Sequence, residues 1–324
     1  MQIFTNPNYD FVRWRWHAIA LSLLVILAGL GVMWKDGVRL GVDFEGGTIV
    51  IAKFDQMPPL ERIREALQKG MPGGGEAVVQ QYGDAANRDV LIRVRRTGAE
   101  TAGNLSQEAE AAVAALKQAG LGNFAVVGTE IVGPVVGEQL KRQGILATVL
   151  ALAGILIYIA IRFQLGFAVG AVAATLHDLL VCLAFLAFFK YDITLNVIAG
   201  LLTITGYSVN DTIVVFDRVR ENMRSMRRDN LSRIVNVAVN QTLARTVITA
   251  GTTLLSVLAL YLFGGEVLKG FAFTMLVGII SGTYSTVFIA SAIAIMFQGR
   301  RLVKGQVAPA AADAPRRTGR RRAS

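Results

Sequence analysis

Asp211 stands inside an apolar run, within the stretch Gly206-Tyr-Ser-Val-Asn-Asp-Thr-Ile-Val-Val-Phe-Asp-Arg-Val-Arg-Glu-Asn222. It precedes the charges Asp217, Arg218, Arg220 and Glu221 by about a turn and a half of helix. A carboxylate at that depth in a bilayer costs about 2.5–3.5 kcal/mol unless it is paired, hydrated or protonated. Two other apolar runs also carry ionisable groups. His177 and Asp178 sit near the centre of the run at 167–189, and Arg245 lies one turn into the run at 243–263. Antiparallel packing of the runs at 195–216 and 243–263 sets Asp211 and Arg245 at similar depth, so the expected arrangement is an Asp–Arg pair. Residues three or four apart share a helix face, which groups Tyr207, Ser208 and Asp211, with Asn210 beside the aspartate. Thr242, Arg245, Thr249, Thr252 or Thr253, and Ser256 recur at the same intervals as a hydroxyl stripe running outward from Arg245. A stripe of that kind can hold a file of waters leading to Asp211, which is the chemistry of a proton relay.

Each element also has a plainer reading. Membrane Ser and Thr often bond their own backbone or join helices. His177 and Asp178 also read as a satisfied interhelical hydrogen-bonding pair. An arginine near a helix end can extend its head to the lipid headgroups. The Gly166/Gly170/Ala174 and Gly278/Gly282 spacings read as packing faces.

The elements that must position these groups are membrane helices. A mean hydropathy of +0.48 with only 17% charged residues lies below the roughly 25% of soluble chains, and the apolar residues fall in long runs. One cysteine, Cys182, and two histidines, His17 and His177, exclude a disulfide framework and a cysteine or three-histidine metal cluster. No enzymatic catalysis and no cofactor are expected. Spans are predicted at 17–34, 139–161, 167–189, 195–216, 243–263 and 271–297, each close to the length that crosses about 30 Å of hydrocarbon. Trp14, Trp16 and Trp34 bracket the first as interfacial anchors, and the sequence after it offers no signal-peptidase site, so it reads as an uncleaved anchor.

Residues 35–138 have the composition of a water-soluble domain. Strand-like runs at 48–52, 77–82, 90–95 and 124–132 alternate with helix-like stretches at 60–69 and 104–118, the second with Ser106 as its expected N-cap. The order β-α-β-β-α-β is the ferredoxin-like pattern. Residues 217–242 are charged but carry Leu231, Ile234, Val235 and Ala238 at helical spacing, which predicts an amphipathic helix on the membrane surface. The arginines at 13, 15, 162, 218, 220, 224, 227, 228 and 233 fall on one side, with only Lys190 and Lys269 in the short loops opposite. That bias places both termini in the cytoplasm and the 35–138 domain outside. The net charge of +10 is concentrated there and in the basic tail at 298–324, which is expected to be disordered. Anionic lipid headgroups or ribosomal RNA could attract the tail, but the plainer reading is a solvated cytoplasmic anchor with no nucleic-acid partner.

At these residues a resemblance becomes specific. The 206–222 stretch resembles the signature of the SecF family, the smaller subunits of bacterial SecDF protein-export complexes in the inner membrane. Gly41-Val-Asp-Phe-Glu-Gly-Gly47 is similar to the family's Asp-Phe-Thr-Gly-Gly motif, here Asp43, Gly46 and Gly47 with Glu45 departing from the usual Thr. His177-Asp178 and Gln241-Thr-Leu-Ala-Arg-Thr246 also match, and the likeness runs from Trp14 to about Arg300. The resemblance implies half of a twelve-helix unit of the resistance–nodulation–division superfamily, completed by SecD. It implies proton passage at the positions of Asp211 and Arg245, and work with the SecYEG channel, the SecA ATPase and YajC on a translocating preprotein. A proton-driven exporter of lipids or drugs and a non-transporting scaffold subunit remain the alternatives, and sodium could replace the proton.

Overall fold

The apolar run after Asp10 becomes α1 (Phe11–Asp36), started by the Asp10 carboxylate, which accepts the Arg13 backbone N–H at 3.1 Å. Trp14, Trp16 and Trp34 are exposed at its two ends. The computed structural model describes residues 7–71, 74–82, 87–94, 103–132, 134–162 and 165–297. The basic tail expected at 298–324 lies outside the described residues. After α1 a single turn of helix, α2 (Val42–Glu45), leads into the extramembrane domain.

That domain follows the predicted pattern. β1 (Gly47–Phe54), α3 (Leu60–Gly70), β2 (Val78–Tyr82), β3 (Asp89–Val94), α4 (Gly103–Gln118) and β4 (Phe124–Val132) occur in that order. The four strands form one antiparallel sheet ordered β2-β3-β1-β4, which is the ferredoxin-like arrangement. Ser106 falls inside α4, whose first residue is Gly103, so it is not the cap the sequence suggests. Alternation along the strands decides which face is covered. Val50, Ala52, Val90, Ile92 and Val94 face α3 and α4 and pack on Ile63, Leu67, Ala112 and Leu116. Ile49, Leu91 and Arg93 turn to the opposite face, toward the membrane helices.

Beyond the sheet the chain runs through α5 (Pro134–Arg162), α6 (Leu165–Phe188), α7 (Leu195–Ser225), α8 (Leu231–Phe263) and α9 (Glu266–Ser285). A π-helical turn at Thr286–Ala290 carries the last helix on to Phe297. Among the described residues six helices are long and apolar enough to cross a membrane, the last running Val267–Phe297. Glycines let them approach closely: a Cβ on Gly278 would stand 2.4 Å from Ile204 Cγ1, and one on Gly170 2.7 Å from the Ala290 carbonyl oxygen. The predicted packing faces are therefore real contacts. Gly278→Val is expected to destabilise the bundle by about 1–3 kcal/mol through overpacking. An unchanged thermal unfolding midpoint in detergent would show that α7 and α9 can separate without loss.

The segment at 217–242 corrects one expectation. It is not a separate surface helix, because α7 continues to Ser225 and α8 begins at Leu231, leaving only 226–230 between them. The stripe of Leu231, Ile234, Val235 and Ala238 instead packs inside the bundle with Phe167, Phe216 and Val219. No glycine or proline interrupts residues 231–250, so the helix propagates without a break. Its 33 residues extend about 50 Å, well beyond the hydrocarbon core. The overhanging end grips the N-terminal segment: Asn240 accepts the Tyr9 N–H at 2.8 Å, and the side-chain amides of Asn236 and Asn240 donate to the Tyr9 carbonyl.

Candidate functional site

Among the described residues two carboxylates, Asp178 and Asp211, lie within the bundle, and their surroundings are opposite in kind. Asp178, on α6, is 1% exposed and saturated. Its Oδ2 accepts the hydroxyls of Ser208 on α7 at 2.5 Å and Ser285 at 2.7 Å, and its Oδ1 accepts that of Ser281 at 2.7 Å. His177 Nδ1 lies 3.1 Å from Oδ1. One buried acid thus joins three helices, as the plainer reading of the dipeptide expects, whereas His177 is not satisfied: its Nε2 is buried without a partner. Sequence reasoning did not single out Ser281 and Ser285. Their i, i+4 spacing on one face of the last helix was the available signal.

Asp211, on α7, is only half provided for. Thr246 on α8 donates its hydroxyl to Asp211 Oδ1 at 2.7 Å, while Oδ2 is buried without a partner. Thr286, in the π-helical turn, sits beside the same carboxylate and hydrogen-bonds Thr212 at 3.0 Å. Such turns interrupt a helix where side chains must be re-aimed, and here Ser285 meets one aspartate while Thr286 meets the other.

The expected Asp211–Arg245 pair is not made: no ion pair within 4.0 Å joins them. Successive residues on a helix point about 100° apart. Val239, Thr242 and Thr246 are buried toward α7, which leaves Arg245 on the exposed flank. Arg245 remains close enough for its charge to act on the carboxylate.

The remaining predicted residues divide the same way. Tyr207 is partly buried and sits beside Thr249 and Thr253, whereas Asn210 is exposed on the outer flank of α7. Thr249, Thr252, Thr253 and Ser256 all donate to carbonyls of their own helix, at 2.8–3.1 Å. Their protons are thus engaged by the backbone, and only their lone pairs face outward. Gln241, Arg245, Thr249, Thr252 and Ser256 nonetheless form one exposed polar stripe along α8. About a third of the way along α8, Gln241 accepts from Arg218 at 2.7 Å and from Asn222 at 2.9 Å, tying α8 to the last turns of α7.

Residues 112–300 match the family of SecD/SecF protein export membrane proteins, C-terminal part, and residues 31–56 match the SecD/SecF GG motif. Protein translocase subunit SecF of Escherichia coli O157:H7 is 40% identical over 311 residues, covering 95% of this chain and 94% of that protein. The Rhodothermus marinus protein of the same name is 42% identical over 321 residues, covering 96% and 100%. The chain belongs to the SecF family. The crystal structure of SecDF from Thermus thermophilus, a translocon-associated membrane protein, superposes with a TM-score of 0.80 at 34% identity. It includes 91% of this SecF-family chain, which spans 39% of that longer polypeptide. SecDF in a super-membrane-facing form matches less closely, with a TM-score of 0.68 at 33% identity.

The GG motif of this SecF-family chain forms the turn from α2 into the sheet. Gly46 and Gly47 take φ values of 74° and 136°, in the region L side chains rarely adopt, and turn the chain from α2 into β1. Gly41 lies against the loop before α7, where a Cβ would stand 2.8 Å from Thr194 Cγ2. Backbone bonds join the two segments: Gly41 N–H to the Ile193 carbonyl at 2.7 Å and Ile193 N–H to the Arg39 carbonyl at 2.8 Å. Asp43 Oδ2 accepts the Leu195 N–H at 2.9 Å, so its carboxylate caps α7 from outside.

Proposed function

We propose that this chain is the SecF half of a SecDF-type complex. It uses proton entry at Asp211 to drive preprotein export across a bacterial inner membrane. The observation that carries the proposal is the half-satisfied carboxylate: Asp211 has one oxygen bonded to Thr246 and one buried oxygen that makes no hydrogen bond, with the Thr286 hydroxyl beside the group. A proton, a water or a repositioned Arg245 would each supply what that oxygen lacks. Alternation among these states moves α7 against α8. Protonation removes the attraction to Arg245, and the carboxylate form restores it. The exposed polar stripe of α8, with Asn210 on α7, cannot face lipid cheaply. Its proposed cover is SecD, in contact with membrane lipids only at the periphery. SecYEG, SecA, YajC and the translocating preprotein complete the working assembly. Both termini are cytoplasmic and the sheet domain is periplasmic.

Proton flux through the complex reconstituted in liposomes tests this reading. Wild-type complex is expected to conduct protons down an imposed gradient, and Arg245→Ala to lose that flux while retaining its partner. Equal flux in both would overturn the switch, and absence of flux in the wild type would favour a scaffold role.

A further inference from the structure

α7 is one unbroken helix of 31 residues, with Asp211 about 24 Å along its axis from its first residue, Leu195. A displacement at Asp211 therefore reappears at the Leu195 end. That end meets the sheet domain across a cleft of about 160 Å³, lined by Ile49, Tyr82 and Leu91 on one side and Thr194 and Asn196 on the other. The domain and the helix are held together there by discrete polar tethers. Asp43 caps the first N–H of α7. Arg93, on the inner face of β3, pairs with Asp192 in the loop just before α7. The 39–41 segment bonds Ile193.

Arg93 is 7% exposed and its Nε is buried without a partner, so its charge depends on Asp192. Leu91, also inward-facing on β3, contributes only apolar surface. A packed apolar interface would spread the connection over many small contacts. Here, beside the backbone bonds of 39–41 to Ile193, its side-chain part is carried by two carboxylates and one guanidinium.

Resting on the proton-switch reading of Asp211, we infer that Asp43 and the Arg93–Asp192 pair are the positioning residues that transmit movement of α7 to the sheet domain. In this account Asp43 does not relay protons. It acts as a helix cap, which asparagine performs about as well as aspartate. Arg93 and Asp192 act as a matched pair whose charges can be exchanged.

The test uses the full chain in its complex, in lipid nanodiscs, with two spin-label pairs. Gln81 on β2 against Leu262 on α8 reports the domain relative to the bundle, and Ile161 against Arg224 reports α7 relative to α5. With Asp211→Asn as the neutral mimic, both distances are expected to shift by about 2 Å or more. In the Asp43→Ala, Arg93→Ala background, the Ile161–Arg224 shift is expected to persist and the Gln81–Leu262 shift to disappear. Asp43→Asn, and the exchange Arg93→Asp with Asp192→Arg, are each expected to retain the Gln81–Leu262 shift. A Gln81–Leu262 shift that survives the double alanine variant overturns the coupling while leaving the switch intact. If neither pair responds to Asp211→Asn, it is the switch that fails, and the coupling with it.

Discussion

Asp211→Asn is expected to abolish the proton-dependent part of preprotein export while leaving the chain folded and its complex assembled. Asparagine keeps the size of the side chain and can still accept the Thr246 hydroxyl, which lies 2.7 Å from Asp211 Oδ1. It also relieves the buried Oδ2, which makes no hydrogen bond, by removing the charge. Stability should therefore stay level or rise. What disappears is the alternation, because an amide cannot take up and release a proton. One charge crossing 100 mV supplies about 2.3 kcal/mol, enough to shift a two-state equilibrium by about 50-fold. Loss of the switch should thus appear as loss of stimulation by an imposed gradient, with any gradient-independent export unchanged. The measurement is preprotein uptake into inverted vesicles carrying wild-type or variant complex, with and without a proton gradient. Full stimulation in the variant would contradict the mechanism. Stimulation that follows a sodium gradient would keep the site and change the ion.

Asp178→Ala is expected to do the reverse, weakening the bundle before it affects coupling. Three serine hydroxyls from two neighbouring helices converge on this carboxylate at 2.5–2.7 Å. Hydrogen bonds to a charged group contribute about 1.5–3 kcal/mol each in water-soluble proteins, whereas interhelical bonds inside membranes average about 0.6 kcal/mol. The membrane figure is the better guide, because freed hydroxyls can turn to their own helix backbone. Ser285 already bonds the Gly282 carbonyl at 3.2 Å. Loss of three such bonds, together with the volume of the carboxylate, is expected to cost about 2–4 kcal/mol. Thermal unfolding of the solubilised chain should register it. Asp178→Asn, which keeps one acceptor and the side-chain volume, should lose about half as much. An alanine variant as stable as wild type would remove Asp178 from the structural role and return it to the list of proton-path candidates. The two aspartates thus give opposite signatures: stability without gradient for one, gradient without stability for the other.

Much of this is legible in the sequence. The six spans follow from runs that cannot remain in water, and the β-α-β-β-α-β order from a change of apolar period between strands and helices. The GG motif could be located in the sequence, but not its task. Gly46 and Gly47 announce a backbone turn, while nothing in the sequence says that Asp43 reaches Leu195 in a distant loop. The amphipathic stripe at 231–238 was correctly read as helical and wrongly laid on the membrane surface. A stripe reports that a face is apolar, not what covers it.

The sequence by itself determined which helices carry charge, at what depth, and which residues share a face. It could not determine how each helix is rotated about its own axis relative to its neighbours. That rotation is set by the whole bundle, through contacts such as Gly278 against Ile204 and Leu231 to Ala238 against Phe216. Depth alone made Arg245 the partner of Asp211, and a rotation of about 100°, one residue on the helix, gave the carboxylate to Thr246 instead. The same rotation left Arg245 and its hydroxyl stripe on an exposed flank. Tertiary structure therefore decided the surroundings of the aspartate: one oxygen bonded to Thr246, one buried oxygen without a hydrogen bond, and Arg245 nearby without an ion pair to it.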